Sequence, residues 1–237
     1  MNSLPQIKNQ YYFYYPELLP QMQLDTQLTL QLTKVLRLRP KAQIVLQDGR
    51  GSQGLYEIMS LSETTSVNLM KKITRTSPPA VVLVQSLLKK DKTEWILQKA
   101  TELGVSEIWL WESKYSEQTI KSFEGKLPRL QKIVQEAFEQ SRGFYLPRVV
   151  LFPNRDKVFA ALYPEYHVYL LEPEAPKTFL DVHNLPAYLL SGSEGGFDPG
   201  ELKAFSTLAK LCPIKLSQQT LRAETASLAA LAQLRLF

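Results

Sequence analysis

The run Ser191-Gly192-Ser193-Glu194-Gly195-Gly196-Phe197 concentrates residue types that form ligand loops. It lies between an apolar stretch at 188–190 and Asp198-Pro199-Gly200-Glu201. That order spells a buried strand, a glycine-rich turn and a helix. Asp198 can cap the helix, Pro199 fits its first position, and Glu201 stands where a capping box needs a carboxylate. Glycines in such a turn admit positive φ and let backbone approach a ligand closely. In open α/β sheets, ligands bind beyond the carboxyl ends of the strands. A plain strand–turn–helix connection has the same pattern. Two phosphate motifs fail here: the run is not G-x-G-x-x-G, and no Lys followed by Ser or Thr closes it. Glu194 also disfavours a polyphosphate. A neutral or cationic ligand with polar edges fits better.

A second cluster, LSQQTLRAETA at 216–226, follows an expected strand at 213–216 and opens the last helix. Arg222 and Glu224 lie near that helix's N-terminus. The helix dipole favours the glutamate there and not the arginine. The cation therefore suggests contact with an anion or acceptor, and a plain surface arginine is the bland alternative. A third group, KATELGV at 99–105 and EQSR at 139–142, falls at helix ends, where capping and surface polarity account for it equally well. Cys212, His167 and His183 show no partner spacing. A single cysteine permits no intramolecular disulfide, and with two histidines a Cys-based or multi-histidine metal centre is not expected.

The elements that must position these clusters divide at Ser77-Pro78-Pro79, because two prolines continue neither a helix nor a strand ladder. Before it, 11–15 is aromatic and β-prone, 28–38 fits a helix or a strand, and 44–47 with 55–59 reads as a hairpin around Asp48-Gly49-Arg50-Gly51. With another strand at 66–73, this predicts a small barrel over residues 1–76. After it, apolar strands at 81–84, 108–111, 149–152, 168–171 and 188–190 alternate with helices at 92–103, 124–140, 199–211 and 222–236. That alternation predicts a parallel α/β sheet over 77–237. The last helix carries Leu228, Leu231 and Leu234, an apolar series that a partner subunit or its own domain must cover.

Of 237 residues, 44% are hydrophobic and 22% charged, which excludes a mostly disordered chain. The net charge is +5. Residues 1–76 carry nine Lys or Arg against five acids, and the remainder is near neutral. A basic first third fits a polyanion grip; a solvated basic face is the alternative. No stretch reaches the roughly 18 apolar residues of a membrane span. The first fifteen residues lack a signal peptide's basic and apolar regions. The expectation is a soluble cytoplasmic protein.

Together, KATELGV, EQSR, SGSEGGF at 191–197 and LRAETA at 221–226 resemble the RsmE family, methyltransferases that modify N3 of a uridine in small-subunit ribosomal RNA. The basic KVLRLRPKAQIVLQDGRG at 34–51 is similar to the family's N-terminal RNA-binding stretch. The resemblance implies a PUA-like β-barrel followed by a SPOUT-class α/β domain, with a parallel sheet and a C-terminal trefoil knot. It implies a homodimer with cofactor pockets close to the subunit interface. The implied cofactor is S-adenosyl-L-methionine, held by Leu171, Gly192, Ser193, Glu194, Gly195, Gly196, Leu216 and Leu221. The implied substrate is small-subunit ribosomal RNA, free or in the 30S particle, met by Lys34, Arg37, Arg39, Lys41 and Arg142. Neither a metal nor a membrane is implied. The sequence departs from the family at Ser193, where proline is usual, at Gln31, where histidine is common, and at Ser217 and Gln219, where glycine and arginine are usual. Gly143 follows Arg142, where the family more often places the glycine first.

The implied reaction is in-line methyl transfer from a sulfonium to a uracil nitrogen. Positioning alone can supply about 7–11 kcal/mol of such a barrier. N3 must lose a proton, and positive charge would stabilise the anion spread over O2 and O4. Arg222 is the candidate for that role, and Glu224 orients it or holds the helix start. No residue stands out as a general base. The base must also be unstacked to be reached. A non-catalytic RNA-binding or ribosome-assembly protein on the same fold is the alternative. A nucleotide-dependent oxidoreductase lacks its fingerprint.

Overall fold

A computed structural model describes Leu4 and residues 10–235. The chain divides into two units: Met1–Ser77 with Phe138–Tyr145, and Pro78–Ala137 with Leu146–Phe237. The sequence reading assigned 138–145 to the second domain, whereas in the structure it packs with the first unit. Residues 1–3 and 5–9 of the expected first domain, and Leu236 at the expected end of the last helix, lie outside the described residues.

In the first unit, β1 (Tyr11–Tyr14), β2 (Gln21–Leu24), β3 (Gln43–Gln47), β4 (Ser52–Leu61) and β5 (Thr65–Thr74) form one sheet in the order β1-β3-β4-β5-β2. β1 runs parallel to β3, and the other pairs are antiparallel. The 48–51 turn closes the β3–β4 hairpin because Asp48 Oδ1 accepts from the backbone N–H groups of Arg50 and Ser52, both at 2.8 Å. The ambiguous stretch at 28–38 resolves as α1 (Thr26–Leu30) running into a π-helical turn at Gln31–Val35. Asp25 caps α1 by accepting from Leu28 N at 2.9 Å. Leu28 and Leu32, one helical turn apart, are buried with Phe13, Ile44, Leu46, Tyr56 and Ile58.

The second unit holds a six-stranded, all-parallel sheet of β6 (Val81–Ser86), β7 (Glu107–Trp111), β8 (Arg148–Phe152), β9 (His167–Leu171), β10 (Ala187–Ser191) and β11 (Leu211–Ile214). The strand order is β11-β9-β10-β6-β7-β8. The two central strands, β6 and β10, are buried at every residue, as a sheet covered on both faces requires. Helices α2 (Lys90–Glu102), α3 (Lys121–Glu124), α4 (Leu127–Gln140), α5 (Arg155–Ala161), α6 (Pro199–Phe205) and α7 (Ala223–Arg235) connect and follow the strands.

Four expectations change. The helix expected over 199–211 ends at Phe205, where Ser206 and Thr207 hydroxyls donate to the carbonyls of Lys203 and Ala204. Residues 211–214 are instead the edge strand β11, a position that tolerates Pro213. The helix expected from 124 starts at Leu127, after the separate α3 and Gly125. Helix α5 was not anticipated, since seven residues are too few to show a period; Asn154 caps it by accepting from Lys157 N at 3.0 Å. Finally, Leu231 and Leu234 are fully buried within their own unit's core, and Leu228 packs against it. The apolar series on the last helix is covered internally, so it gives no argument for a partner subunit.

Candidate functional site

The chain leaves β6 outward through β7 and β8, then crosses to the other side of β6 for β9, β10 and β11. The switch point therefore lies between β6 and β10, where open α/β sheets bind ligands beyond the strand carboxyl ends. A cavity of about 640 Å³ opens beside it, beyond the carboxyl ends of β9, β10 and β11. That lies within the range of about 300–1,000 Å³ that small-molecule sites occupy. The structure brings Leu171, Gly192, Ser193, Glu194, Gly195, Gly196, Leu216 and Leu221 together around it. Arg222 stands at its wall with the side chain exposed. Glu224 is not part of the wall but reaches it through Lys92, which is.

The glycine-rich turn is built by its own backbone before any ligand is considered. Gly196 has φ +73°, and its N–H donates to Ser193 O at 3.0 Å. A Cβ on Gly192 would lie 3.0 Å from the Gly196 backbone. Gly195 has no such φ; a Cβ there would meet Tyr115 Cβ at 3.1 Å. Beyond the turn, Phe197 stacks on Trp111 at 6.4 Å and meets Phe205 edge-on at 5.0 Å. The expected capping box between Asp198 and Glu201 forms, and buried Glu201 also accepts from Lys114 N at 2.8 Å.

Beneath the turn lies a buried polar network that sequence reasoning missed. Gln85, at the end of β6 and fully buried, donates from Nε2 to Gly192 O at 2.9 Å and to Ser86 O at 3.0 Å. Its Oε1 accepts from Ser227 Oγ at 2.5 Å, and Ser227 Oγ lies 2.7 Å from Ser191 Oγ. One amide thus ties the glycine turn and α7 to the central strand. The only trace in sequence was a polar residue ending an apolar strand.

A second missed feature is ionic. Lys92 Nζ lies 3.3 Å from Glu194 Oε1 and 3.5 Å from Glu224 Oε2, joining the glycine turn to the first turn of α7. Burial pulls the Lys92 ammonium down, but its hydrogen bond to Glu194 and the charges of Glu224 and Glu194 outweigh this and hold it above the ordinary lysine value. The cavity's charged residues are Lys92, Arg222, Glu172 and Glu194. Two cations against two carboxylates leave the wall without a net charge, and it lacks the cationic cluster a polyphosphate needs. Ser217, in the last loop, accepts from Gln219 N at 3.1 Å and so stabilises its own turn.

The basic candidates belong to the first unit. Lys34, Arg37, Arg39 and Lys41 are all exposed. Leu36 and Leu38 pack half-buried against the first unit's core, whereas Val35, at the end of the π-helical turn, is 72% exposed. Arg37 and Lys41 adopt left-handed backbone at φ +52° and +71°. Arg142 does so at +58°, and its guanidinium lies 5.0 Å over the Tyr12 ring. KATELGV proves to be a helix end: Lys99 pairs with Glu102 at 2.8 Å and Gly104 takes φ +76°. Among the described residues no three His, Cys, Asp or Glu gather as metal ligands, and no helix is long and apolar enough to cross a membrane.

Residues 75–235 match the family model of an RNA methyltransferase domain. A ribosomal RNA small subunit methyltransferase E from Synechocystis is 32% identical over 216 residues, covering 86% of this chain and 69% of that protein. Another of that name, from Mesomycoplasma hyopneumoniae, is 29% identical over 208 residues, covering 86% and 89%. Among solved structures, the Neisseria gonorrhoeae methyltransferase E bound to S-adenosyl methionine superposes with a TM-score of 0.83 at 27% identity, covering 94% of this chain and 96% of that one.

Proposed function

The chain belongs to the RsmE family of RNA methyltransferases, and on that premise we propose that it transfers a methyl group from S-adenosyl-L-methionine to N3 of a uridine in small-subunit ribosomal RNA. One observation carries the reading: a cavity beyond the carboxyl ends of β9, β10 and β11, walled by a tight glycine turn and without a cationic cluster for phosphate. The residues suit the cofactor. Leu171, Leu216, Leu221 and Ala226 offer apolar contact to an adenosine, and the backbone groups of 192–196 and 216–221 offer polar edges to read. Glu172 and Glu194 line the cavity, and its two cations, Lys92 and Arg222, do not form a phosphate site.

When bound, the cofactor supplies an electrophilic methyl on a sulfonium. The protein's own residues hold and orient. Gln85 and Ser227 fix the glycine turn against the sheet, and Lys92 fixes it against α7. Arg222, exposed at the cavity wall, supplies positive charge where the uracil's O2 and O4 gain electron density as N3 loses its proton. Glu224 holds Lys92 and the first turn of α7, where the helix dipole favours a carboxylate. Lys34, Arg37, Arg39, Lys41 and Arg142 bind RNA phosphates from the first unit.

The finer fold reading is a PUA-like barrel at 1–76 and a SPOUT domain at 77–237 with a trefoil knot, supported by the family and by the insertion of β10 between β9 and β6. A homodimer follows from the family alone. The cytoplasm follows from a ribosomal substrate. Calorimetry tests the site: S-adenosylmethionine should bind while ATP and NAD do not, and Gly195→Val, whose side chain crowds Tyr115 and so displaces the turn, should abolish binding with folding intact. Unchanged affinity in that variant would remove this loop from the site.

A further inference from the structure

Where Phe138–Tyr145 folds onto one end of the five-stranded sheet, Arg50, Arg75 and Arg142 come together around it. Two buried glutamines of the sheet secure the segment: Gln53 Nε2 donates to Arg142 O at 2.9 Å, and Gln47 Nε2 donates to Gly143 O at 2.5 Å. Gly51 N donates to Phe144 O at 2.8 Å, Arg75 N donates to Gly51 O at 2.9 Å, and the Tyr145 hydroxyl donates to Arg75 O at 2.6 Å. Arg50 pairs through a β-bridge with Tyr145. The backbone of this corner is therefore closely held, while its three arginine side chains are exposed.

Arg75 and Arg142 are set apart by resting on an aromatic ring with no carboxylate partner. Arg129, Arg148 and Arg155 each pair with a carboxylate. Among the described residues Arg50, Arg75 and Arg142 have no such partner. Instead, the Arg75 guanidinium lies 4.2 Å over the Phe144 ring, and that of Arg142 lies 5.0 Å over Tyr12. A guanidinium over an aromatic ring is restrained by it, and being exposed it keeps planar surface and N–H edges open to solvent. That face can stack on an unpaired base, and those edges match phosphate oxygens. Arg142 keeps this posture at φ +58°, a backbone region that glycine adopts more easily.

We infer that Arg75 and Arg142, each backed by its ring, form a stacking grip for unpaired nucleotides of the substrate RNA, with Arg50 adding charge beside them. The inference rests on the reading that the substrate is RNA, and it adds which nucleotides and which side chains. An acidic protein would offer carboxylates to the guanidinium edges and no base to stack on the face, so preference for a single strand over its duplex marks the base. Lysine keeps charge and loses the plane, so it separates planar recognition from charge alone.

The test uses the full chain as wild type, as Arg75→Lys/Arg142→Lys and as Arg75→Ala/Arg142→Ala. Binding to a fluorescein-labelled single-stranded RNA and to its duplex is read by anisotropy across a salt series. Both variants should lose about tenfold or more in affinity for the single strand, since base stacking is lost in each. The alanine variant should also lower the salt slope by about 0.7 for each phosphate contact removed, and the lysine variant should keep it. Duplex binding should fall less. Calorimetric affinity for S-adenosylmethionine should hold in all three. Wild-type affinity in the lysine variant would overturn the stacking grip in favour of charge alone, and wild-type affinity in the alanine variant would remove this corner from RNA binding. If the alanine variant fails to fold, the lysine variant decides. If wild type binds cofactor but neither RNA, the RNA reading itself fails, and the inference with it.

Discussion

Replacing Lys92 by methionine keeps the length of the side chain and removes its charge, which isolates what the ammonium does between Glu194 and Glu224. At 3.3 Å and 3.5 Å the gross attraction is about 5 kcal/mol per pair in an effective dielectric of roughly 20. Ordering and desolvation offset most of it, and exposed pairs keep only about 0.2–1 kcal/mol. The three side chains here are 22%, 24% and 13% exposed, so the upper end of that range applies to each pair. Lys92→Met should therefore cost about 1–2 kcal/mol of stability, because it also leaves two carboxylates facing each other without a cation. If the clamp sets the glycine turn for the cofactor, affinity for S-adenosylmethionine should fall by about 5- to 30-fold. Lys92→Arg should recover most of both losses. The pH dependence has a definite sign. The folded-state value of Lys92 is raised, so its contribution is fully present below the unfolded value near 10.4 and is lost as pH rises through the higher folded value. The stability gap between wild type and Lys92→Met, measured by urea unfolding, should stay level from neutral pH to about 10 and narrow only above it. Equal stability at neutral pH together with equal cofactor affinity would refute the clamp.

Gly196→Ala places a Cβ at φ +73° and should cost about 1–2 kcal/mol in urea unfolding, whereas Gly125→Ala, in ordinary helical backbone, should cost far less. Ser227→Ala leaves Gln85 Oε1 without its hydroxyl donor and should lower stability by about 1–3 kcal/mol and weaken cofactor binding, which calorimetry reads directly. Changing Arg37 and Arg39 together to Ala should weaken RNA binding and flatten its salt dependence by about 0.7 per phosphate lost, with cofactor affinity unchanged. Equal binding at every salt concentration would take that ridge out of the RNA contact. Light scattering at micromolar concentration should give a dimer mass; a monomer would defeat the oligomer proposed from the family.

The strands of the α/β sheet were legible because continuous apolar runs such as 81–84 and 188–190 can only be buried on both faces. The glycine turn was legible because strand, Gly-rich turn, Asp198 cap and Pro199 follow one another without interruption. What escaped depends on residues distant in the chain. Gln85, Ser191 and Ser227 make a network spanning 142 positions, and no local pattern announces it. Lys92 reads as an ordinary first-turn lysine until the fold carries Glu194 and Glu224 to it. Helix 199–211 was overextended because Leu208 and Leu211 continue an apolar spacing that packing uses differently: Leu211 is the first residue of the edge strand. No local signal places 138–145 on the first unit either: it is held there by buried glutamines whose partners are backbone carbonyls some 90 residues away.

The most direct measurement is transfer of a radiolabelled methyl group from S-adenosylmethionine to small-subunit particles and to their free ribosomal RNA, followed by mapping of the modified nucleotide. The label should enter one uridine as a base-methylated N3 product, wild type should transfer it, and Arg222→Ala should transfer it far more slowly while still binding cofactor. RNA that stays unlabelled, although the protein binds both cofactor and RNA, would contradict the account and favour a non-catalytic role on the same fold.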